Sequence, residues 1–240
     1  MAVPQFKEIR RAYGFEEVAI VPGDVTINPD QTNTELTLGS LHFNIPILAA
    51  AMDAVVSPDF AVRMSQAGGL GVMNLEGLQT RYENPQDELE KIANAPKDGA
   101  TEILQRIYSA PMKEALIGRR VEKIKKAGGT CAVSITPQNA KRLAPPAVEA
   151  GADMIVVQST VTTARHISKS YHGLVFSELI DQINVPVIVG NCVAYSTALE
   201  LMETGVEGIL VGVGPGAACT TREVVGVGVP QVTATLDCAA

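Results

Sequence analysis

Residues 127–137 read AGGTCAVSITP, in which a helix-like segment closes on glycine and an apolar, β-rich run follows at once. The same phrase returns as AGGLGVMNLEG at 67–77, AGADMIVVQST at 150–160 and TGVEGILVGVG at 204–214. Each leading glycine stands where a helix C-terminus takes up a left-handed residue. Each following run is continuous rather than alternating, as in strands buried on both faces. The pattern predicts parallel βα units. Two further strands fit the series without the phrase: IPILAAAMD from residue 45 and PVIVGN from 186.

Working outward, helices are expected over 58–68, 112–128, a proline-interrupted run around AKRLAPPAVEAG (140–151), LVFSELIDQI (174–183) and 195–205. Ahead of them, EVAIVPGDVTI (17–27) and TELTLGSLHFNI (34–45) read as short strands that cap one end of a barrel. Alternating β and α elements leave an open doubly wound sheet or a closed (β/α)8 TIM barrel, and near-identical units with no reversal signal favour the barrel. Six units end by residue 213 and 27 residues remain, rich in Gly and Val. The α/β chain 1–240 therefore reads as a single catalytic barrel domain with about six of its eight units, short of the last two. Phosphate sites in such barrels often follow strands seven and eight.

Composition narrows the partners. With 240 residues, 46% hydrophobic and 19% charged, the chain has globular arithmetic, which excludes disordered and collagen-like classes. A formal charge of −7 would repel a polyanion, so no nucleic acid is expected. Four widely spaced cysteines without CxxC fit a reducing cytoplasm. No apolar run approaches the ~20 residues that span a bilayer, and MAVPQFKEIRRAYGF lacks a signal-peptide apolar stretch, so a soluble, untargeted protein is expected.

Active sites of these barrels occupy loops at the carboxyl ends of strands. The richest is Gly212-Val213-Gly214-Pro215-Gly216-Ala217-Ala218-Cys219-Thr220-Thr221-Arg222. Its glycines let backbone approach a ligand or an ion closely, and a thiol, two hydroxyls and a guanidinium follow. Such a loop suits a covalent thiol nucleophile with a hydroxyl two residues away to handle a proton. The bland alternative is a glycine-rich turn around an inert, buried cysteine; the neighbours of Cys219 favour chemistry. Gly212 to Ala217 also matches GxGxxA, but that fingerprint belongs at a first βα turn with a helix directly after it, and here it lies late and contains Pro215. RRVEKIKK (119–126) reads as a solvated helix face with Glu122 and Lys126 at i, i+4. His42, His166 and His172 show no metal-ligand spacing. Tyr195 either stacks on a base or begins a helix. Cys131, Cys192 and Cys238 read as small packing residues.

GVGPGAACTTR followed by GVGVPQVTA closely resembles the catalytic-loop signature of the IMP dehydrogenase and GMP reductase family. FEEVAIVPGDV, NIPILAAAMDAVVSP, AGGLGVMN, AGADMIVVQST and VIVGNCVA resemble further family segments in the family's order. The resemblance implies a (β/α)8 barrel assembled as a homotetramer, possibly pairing into octamers, in which the matching cysteine attacks C2 of a purine nucleotide. Cys219 matches the nucleophile, and Thr221 the threonine that helps to activate water. The carbonyls of Gly214, Gly216 and Cys219 match those that hold a potassium ion. Met52 and Asp53 match an element near the nucleotide, and Asn191 one near the reacting base; Gly216 and Ala217 fall on the phosphate side. Ser159, with Thr160 beside it, falls where the family contacts nicotinamide.

Departures from the family are specific. Ala217 replaces a phosphate-binding Ser, so backbone amides would carry more of the phosphate. Ala49-Ala50-Ala51 replaces Ser-Ser-Pro, and Gln158-Ser159-Thr160 replaces Asp-Ser-Ser, removing a carboxylate from the cofactor side. About 55 residues separate the second and third strands, too few for the paired CBS regulatory domain. The phosphate loops of strands seven and eight and the flap with the water-activating Arg-Tyr pair have no counterpart in the sequence.

The resemblance implies either IMP dehydrogenase, oxidising IMP to XMP with NAD through a Cys219 thioimidate, or GMP reductase, returning hydride from NADPH to make IMP from GMP. GVGVPQ (226–231) favours the dehydrogenase, because reductases usually carry Tyr in the place of Val229. A third reading, a non-catalytic purine-nucleotide-binding paralogue, is motivated by Ala50, Ala217 and Gln158.

Overall fold

The four leading glycines adopt the conformation the phrase requires: φ is 86° at Gly68, 76° at Gly128, 106° at Gly151 and 85° at Gly205. In the computed structural model, which describes residues 9–167 and 173–240, each ends a helix and releases the chain into a strand. Strands β1 (Leu36–Leu38) and β2 (Leu41–Phe43) form an antiparallel hairpin. The strands β3 (Leu48–Ala49), β4 (Leu70–Asn74), β5 (Ala132–Ile135), β6 (Met154–Gln158), β7 (Val187–Cys192) and β8 (Gly208–Val211) then pair in chain order as one parallel sheet. All six expected strands are present. The result is an α/β, TIM-barrel-like arrangement of six strands with helices, in which β3 and β8 are the edges.

Between strands lie α1 (Pro58–Gln66), α2 (Leu78–Arg81), α3 (Pro85–Ala93), α4 (Ala100–Tyr108), α5 (Glu114–Lys126), α6 (Pro137–Glu149), α7 (Phe176–Ile183) and α8 (Tyr195–Met202), followed after β8 by α9 (Thr221–Val225) and α10 (Gln231–Ala239). Local chemistry sets the boundaries. Ser57 caps α1 by accepting the Phe60 N–H at 3.2 Å, and Pro58 supplies the fixed φ suited to a first helical position. Helix α6 runs through Pro145 and Pro146 where the sequence suggested an interruption. The two carbonyls left without donors belong to the exposed residues Lys141 and Arg142, where water can reach them, while Leu143, Ala144 and Ala147 hold the helix in the core.

Strand side chains alternate between two apolar layers. Met73, Val133, Ile155, Val157 and Val189 face the helices; Val72, Ala132, Met154, Val156 and Ile188 face the opposite side, with the hairpin residues Leu36, Leu38, Leu41 and Phe43. Each such Val, Leu or Ile stabilises the fold by about 1.5–3 kcal/mol. The hairpin covers the amino end: its Gly39 N–H donates to Glu207 Oε1 at 2.8 Å, and a Cβ on Gly39 would lie 2.7 Å from Pro186 Cγ, just before β7.

Two expectations are corrected. The segment 17–27 forms no strand; Ile20 is 98% exposed and Val21 and Val25 are similarly open. Pro22 lacks a ladder donor, and β-branched residues make no strand without a partner edge. The first barrel strand, expected over much of 45–53, is only two residues long, because the chain turns at once through the bonds from Met52 N to Ala50 O and from Val55 N to Met52 O.

Candidate active site

Parallel topology brings the carboxyl ends of all six barrel strands to one side, so the loops after them share a face. Every site residue named from the sequence lies on those loops or strand ends, except Thr221, which opens the short helix α9 within the loop after β8.

Cys219 is exposed at the tip of the loop after β8, so it is not the buried cysteine of the bland alternative. Its Sγ donates to Thr221 Oγ1 at 3.3 Å. Once the thiol ionises, the same hydroxyl turns to donate to it; with the Thr221 backbone amide this holds the Cys219 thiol below the ordinary cysteine range. The Cys219 N–H donates to Gly216 O at 3.0 Å, closing the tip as a turn. Gly214, Pro215, Gly216, Ala217, Cys219, Arg222 and Glu223 line one open concavity. Gly214, Gly216 and Cys219, whose carbonyls are named for a cation, all lie on this loop and line that concavity, with the Gly216 carbonyl already accepting the Cys219 N–H; main-chain oxygens are hard donors of the type a monovalent cation takes.

Asn191, near the end of β7, points its amide into the root of this loop and donates from Nδ2 to Gly212 O at 2.9 Å. Ser159 is joined to the same region through the backbone: its N–H donates to Gly190 O at 2.9 Å, and Asn191 N–H donates to Ser159 O at 3.2 Å. The Ser159 hydroxyl donates to Val161 O at 2.7 Å and lies 2.9 Å from Thr162 Oγ1, which donates to Gly190 O at 2.6 Å. Thr160 is exposed beside it. A concavity at the ends of β5 and β6 is lined by Ser159, Thr162, Thr163 and His166.

Met52 and Asp53 lie on the other edge, after β3, and Asp53 has structural partners. Its Oδ1 accepts the Leu78 N–H at 3.1 Å at the start of α2, and its Oδ2 accepts the Tyr108 hydroxyl at 2.6 Å. Gly77 is required there, because a Cβ would come 1.9 Å from Asp53 Oδ1. Burial and the Asp53 carboxylate both push the Tyr108 phenol up. This clamp leaves Met52 as the displayed side chain of the turn, 57% exposed.

Several residues went unread in the sequence. Tyr108 carries no local signal. Glu76 accepts the Thr136 N–H at 2.5 Å and Asn139 Nδ2 at 2.8 Å, placing a carboxylate at the amino end of α6. Gln231 lies in the GVGVPQ segment and donates from Nε2 to Val211 O at 3.1 Å. Tyr195 begins α8, His42 Nδ1 lies 2.9 Å from Thr37 Oγ1 in the hairpin, and His172 falls outside the described residues. No helix among the described residues is long and apolar enough to cross a membrane.

Comparisons with known proteins find relatives over nearly the whole chain. An uncharacterised oxidoreductase of Mycolicibacterium smegmatis is 39% identical over 237 residues, covering 96% of this chain and 63% of the relative. An inosine-5'-monophosphate dehydrogenase of Cryptosporidium parvum is 31% identical, covering 97% of this chain and 59% of the relative. The crystal structure of an IMP dehydrogenase/GMP reductase-like protein from Corynebacterium glutamicum superposes with a TM-score of 0.89 at 33% identity, over 97% of this chain and 62% of that one. The chain thus spans somewhat under two thirds of the length of these relatives. The IMP dehydrogenase / GMP reductase domain model matches residues 12–240, and the chain belongs to that family.

Proposed function

We propose that the protein is an oxidoreductase acting on a purine nucleotide, and specifically an IMP dehydrogenase that converts IMP to XMP. The observation that carries this reading is the exposed Cys219 thiol, bonded to Thr221 at the tip of a glycine loop whose root is held by Asn191. In this reading the Cys219 thiolate adds to C2 of IMP. Bound NAD supplies the acceptor for the departing hydride. Water then hydrolyses the thioimidate, and Thr221, already in contact with the sulfur, handles the proton as the thiol is released. Ser159 and Thr160 would meet the nicotinamide side, where neighbouring hydroxyls offer both donors and acceptors. Gly214, Gly216 and Cys219 would hold a potassium ion through their carbonyls, steadying the turn that carries the thiol. Val229 in GVGVPQ supports dehydrogenase over reductase.

The deciding experiment supplies the purified protein with IMP and NAD and follows NADH, and in parallel supplies GMP and NADPH and follows ammonia. NADH production with a trapped Cys219 adduct supports the proposal. Ammonia release without NADH replaces it with GMP reductase, and nucleotide binding without either product replaces it with a binding paralogue.

A further inference from the structure

The root and the tip of the Cys219 loop are held very differently. At the root, Gly212 N–H donates to Cys192 O at 2.9 Å, Gly212 O accepts from Asn191 Nδ2 at 2.9 Å, and Val213 O accepts from Val229 N at 3.0 Å. Val211 O accepts from Gln231 Nε2 at 3.1 Å. Gly212 has φ +135°, and a Cβ there would lie 2.6 Å from Gln231 Oε1, so the Gln231 amide is laid directly over the glycine α-carbon. Gly212 is thereby gripped between two side-chain amides, Asn191 from β7 and Gln231 from α10. Residues 215–220 at the tip are exposed, and their position is inherited from the root.

Gln231 is itself fixed. It opens α10 directly after Pro230, whose ring sets φ at −55°. Its Nε2 also donates to Thr235 Oγ1 at 3.1 Å, one turn along, which selects the side-chain rotamer. The helix is tied from the far side by Tyr13, whose N–H donates to Thr233 Oγ1 at 2.8 Å and whose carbonyl accepts Thr233 N–H at 3.2 Å.

We propose that Gln231 is a positioning residue for the nucleophilic loop, fixing the Val211–Gly212 root so that Cys219 is presented in its reactive place; this rests on the reading of Cys219 as the nucleophile. Misplacing a reacting group by about 1 Å costs about 10²-fold in rate.

The test uses Gln231→Ala, Gln231→Glu and Thr235→Val in the full-length protein. Gln231→Glu keeps the shape over Gly212 but loses the donor to Val211 O, and Thr235→Val leaves that donor in place. In both Gln231 variants kcat should fall about 10²-fold, more than KM for IMP rises, and Thr235→Val, which loosens the Gln231 rotamer but keeps the donor to Val211 O, should fall between them and wild type. Without any ligand, amide exchange in peptides spanning 209–221 should quicken about tenfold in the Gln231 variants while β5 and β6 peptides stay protected. Unchanged exchange, or a Gln231→Glu protein that behaves as wild type, overturns the proposal. The exchange readout needs no turnover, so a wild type that makes neither NADH from IMP and NAD nor ammonia from GMP and NADPH refutes the nucleophile reading while the clamp is still judged on its own.

Discussion

Cys131 and Cys219 are the same side chain at opposite ends of one parallel sheet, and their environments diverge. Cys131, one residue ahead of β5, is fully buried, and burial first, then the Asp153 carboxylate, pushes its thiol up to about 12. Its N–H donates to Asp153 Oδ2 at 2.8 Å, and Asp153 N–H donates back to Cys131 O at 2.8 Å. Cys219 stands in the open, with the Thr221 hydroxyl and backbone amide favouring its thiolate. The amino end keeps its thiol neutral and packed, and the carboxyl end makes one available. Stability and chemistry are thus separated along the strand direction.

The largest effect should come from exchanging these roles for alanine. Cys219→Ala should cut turnover by on the order of 10³-fold or more, as loss of a covalent nucleophile does, with little change in Tm because the side chain is exposed. Cys131→Ala should keep turnover and lose about 1–2 kcal/mol at neutral pH, measured by urea unfolding. A Cys219→Ala enzyme with wild-type kcat would break the comparison outright. Next in size is Gly71→Ala, in β4. An added Cβ would lie 2.9 Å from Ala61 Cα, where α1 packs flat on the strand. That overpacking should cost about 1–3 kcal/mol, and the alkylation rate of Cys219 should not move.

The same separation explains what was readable in the sequence. Strands with both faces buried need unbroken apolar runs, and helix ends before them need left-handed glycine, so AGGTCAVSITP and its repeats carried their own structure. The loop after β8 was equally plain, because its glycines, Cys219 and Thr221 lie within ten residues of one another. Segment 17–27 misled because β-branched composition reports a side chain's preference and says nothing about a partner edge. The Asp53–Tyr108 and Gly212–Gln231 contacts were invisible for another reason: they join residues 55 and about 20 positions apart through helices whose placement only packing decides.

Alkaline titration sharpens the contrast at about 1.4 kcal/mol per pH unit. The folded-state pKa of Cys131 is raised from 9.0 to about 12, so its neutral form stabilises the fold below pH 9, and that contribution is lost as pH rises toward 12. Urea midpoints of the wild type should therefore fall more steeply over this window than those of Cys131→Ala, and parallel slopes would refute the assignment. For Cys219 the sign is opposite. Thr221→Val should raise the midpoint of its alkylation profile toward that of an ordinary thiol, read by iodoacetamide labelling across pH, and a midpoint that stays put would remove Thr221 from the chemistry.

The smallest effect compares two neighbours on α5. Lys126 meets Glu122 at 2.7 Å one turn away with both side chains well exposed, the i, i+4 pair expected of a solvated face. Lys126→Ala should change stability by no more than about 0.5 kcal/mol. Lys125, one residue earlier, reaches both oxygens of Asp153 at 2.7 Å, and Asp153 in turn holds the Cys131 backbone. Lys125→Ala should cost more, about 1 kcal/mol, and it should also act on the buried thiol. Lys125 pulls the Cys131 pKa down, against burial and Asp153. Its removal should push that pKa further up and extend the alkaline loss of stability to higher pH, with the pH 9 edge unmoved because the unfolded chain sets it. An alkaline limb that is the same in Lys125→Ala and Lys126→Ala would show that the Asp153 network does not reach the thiol.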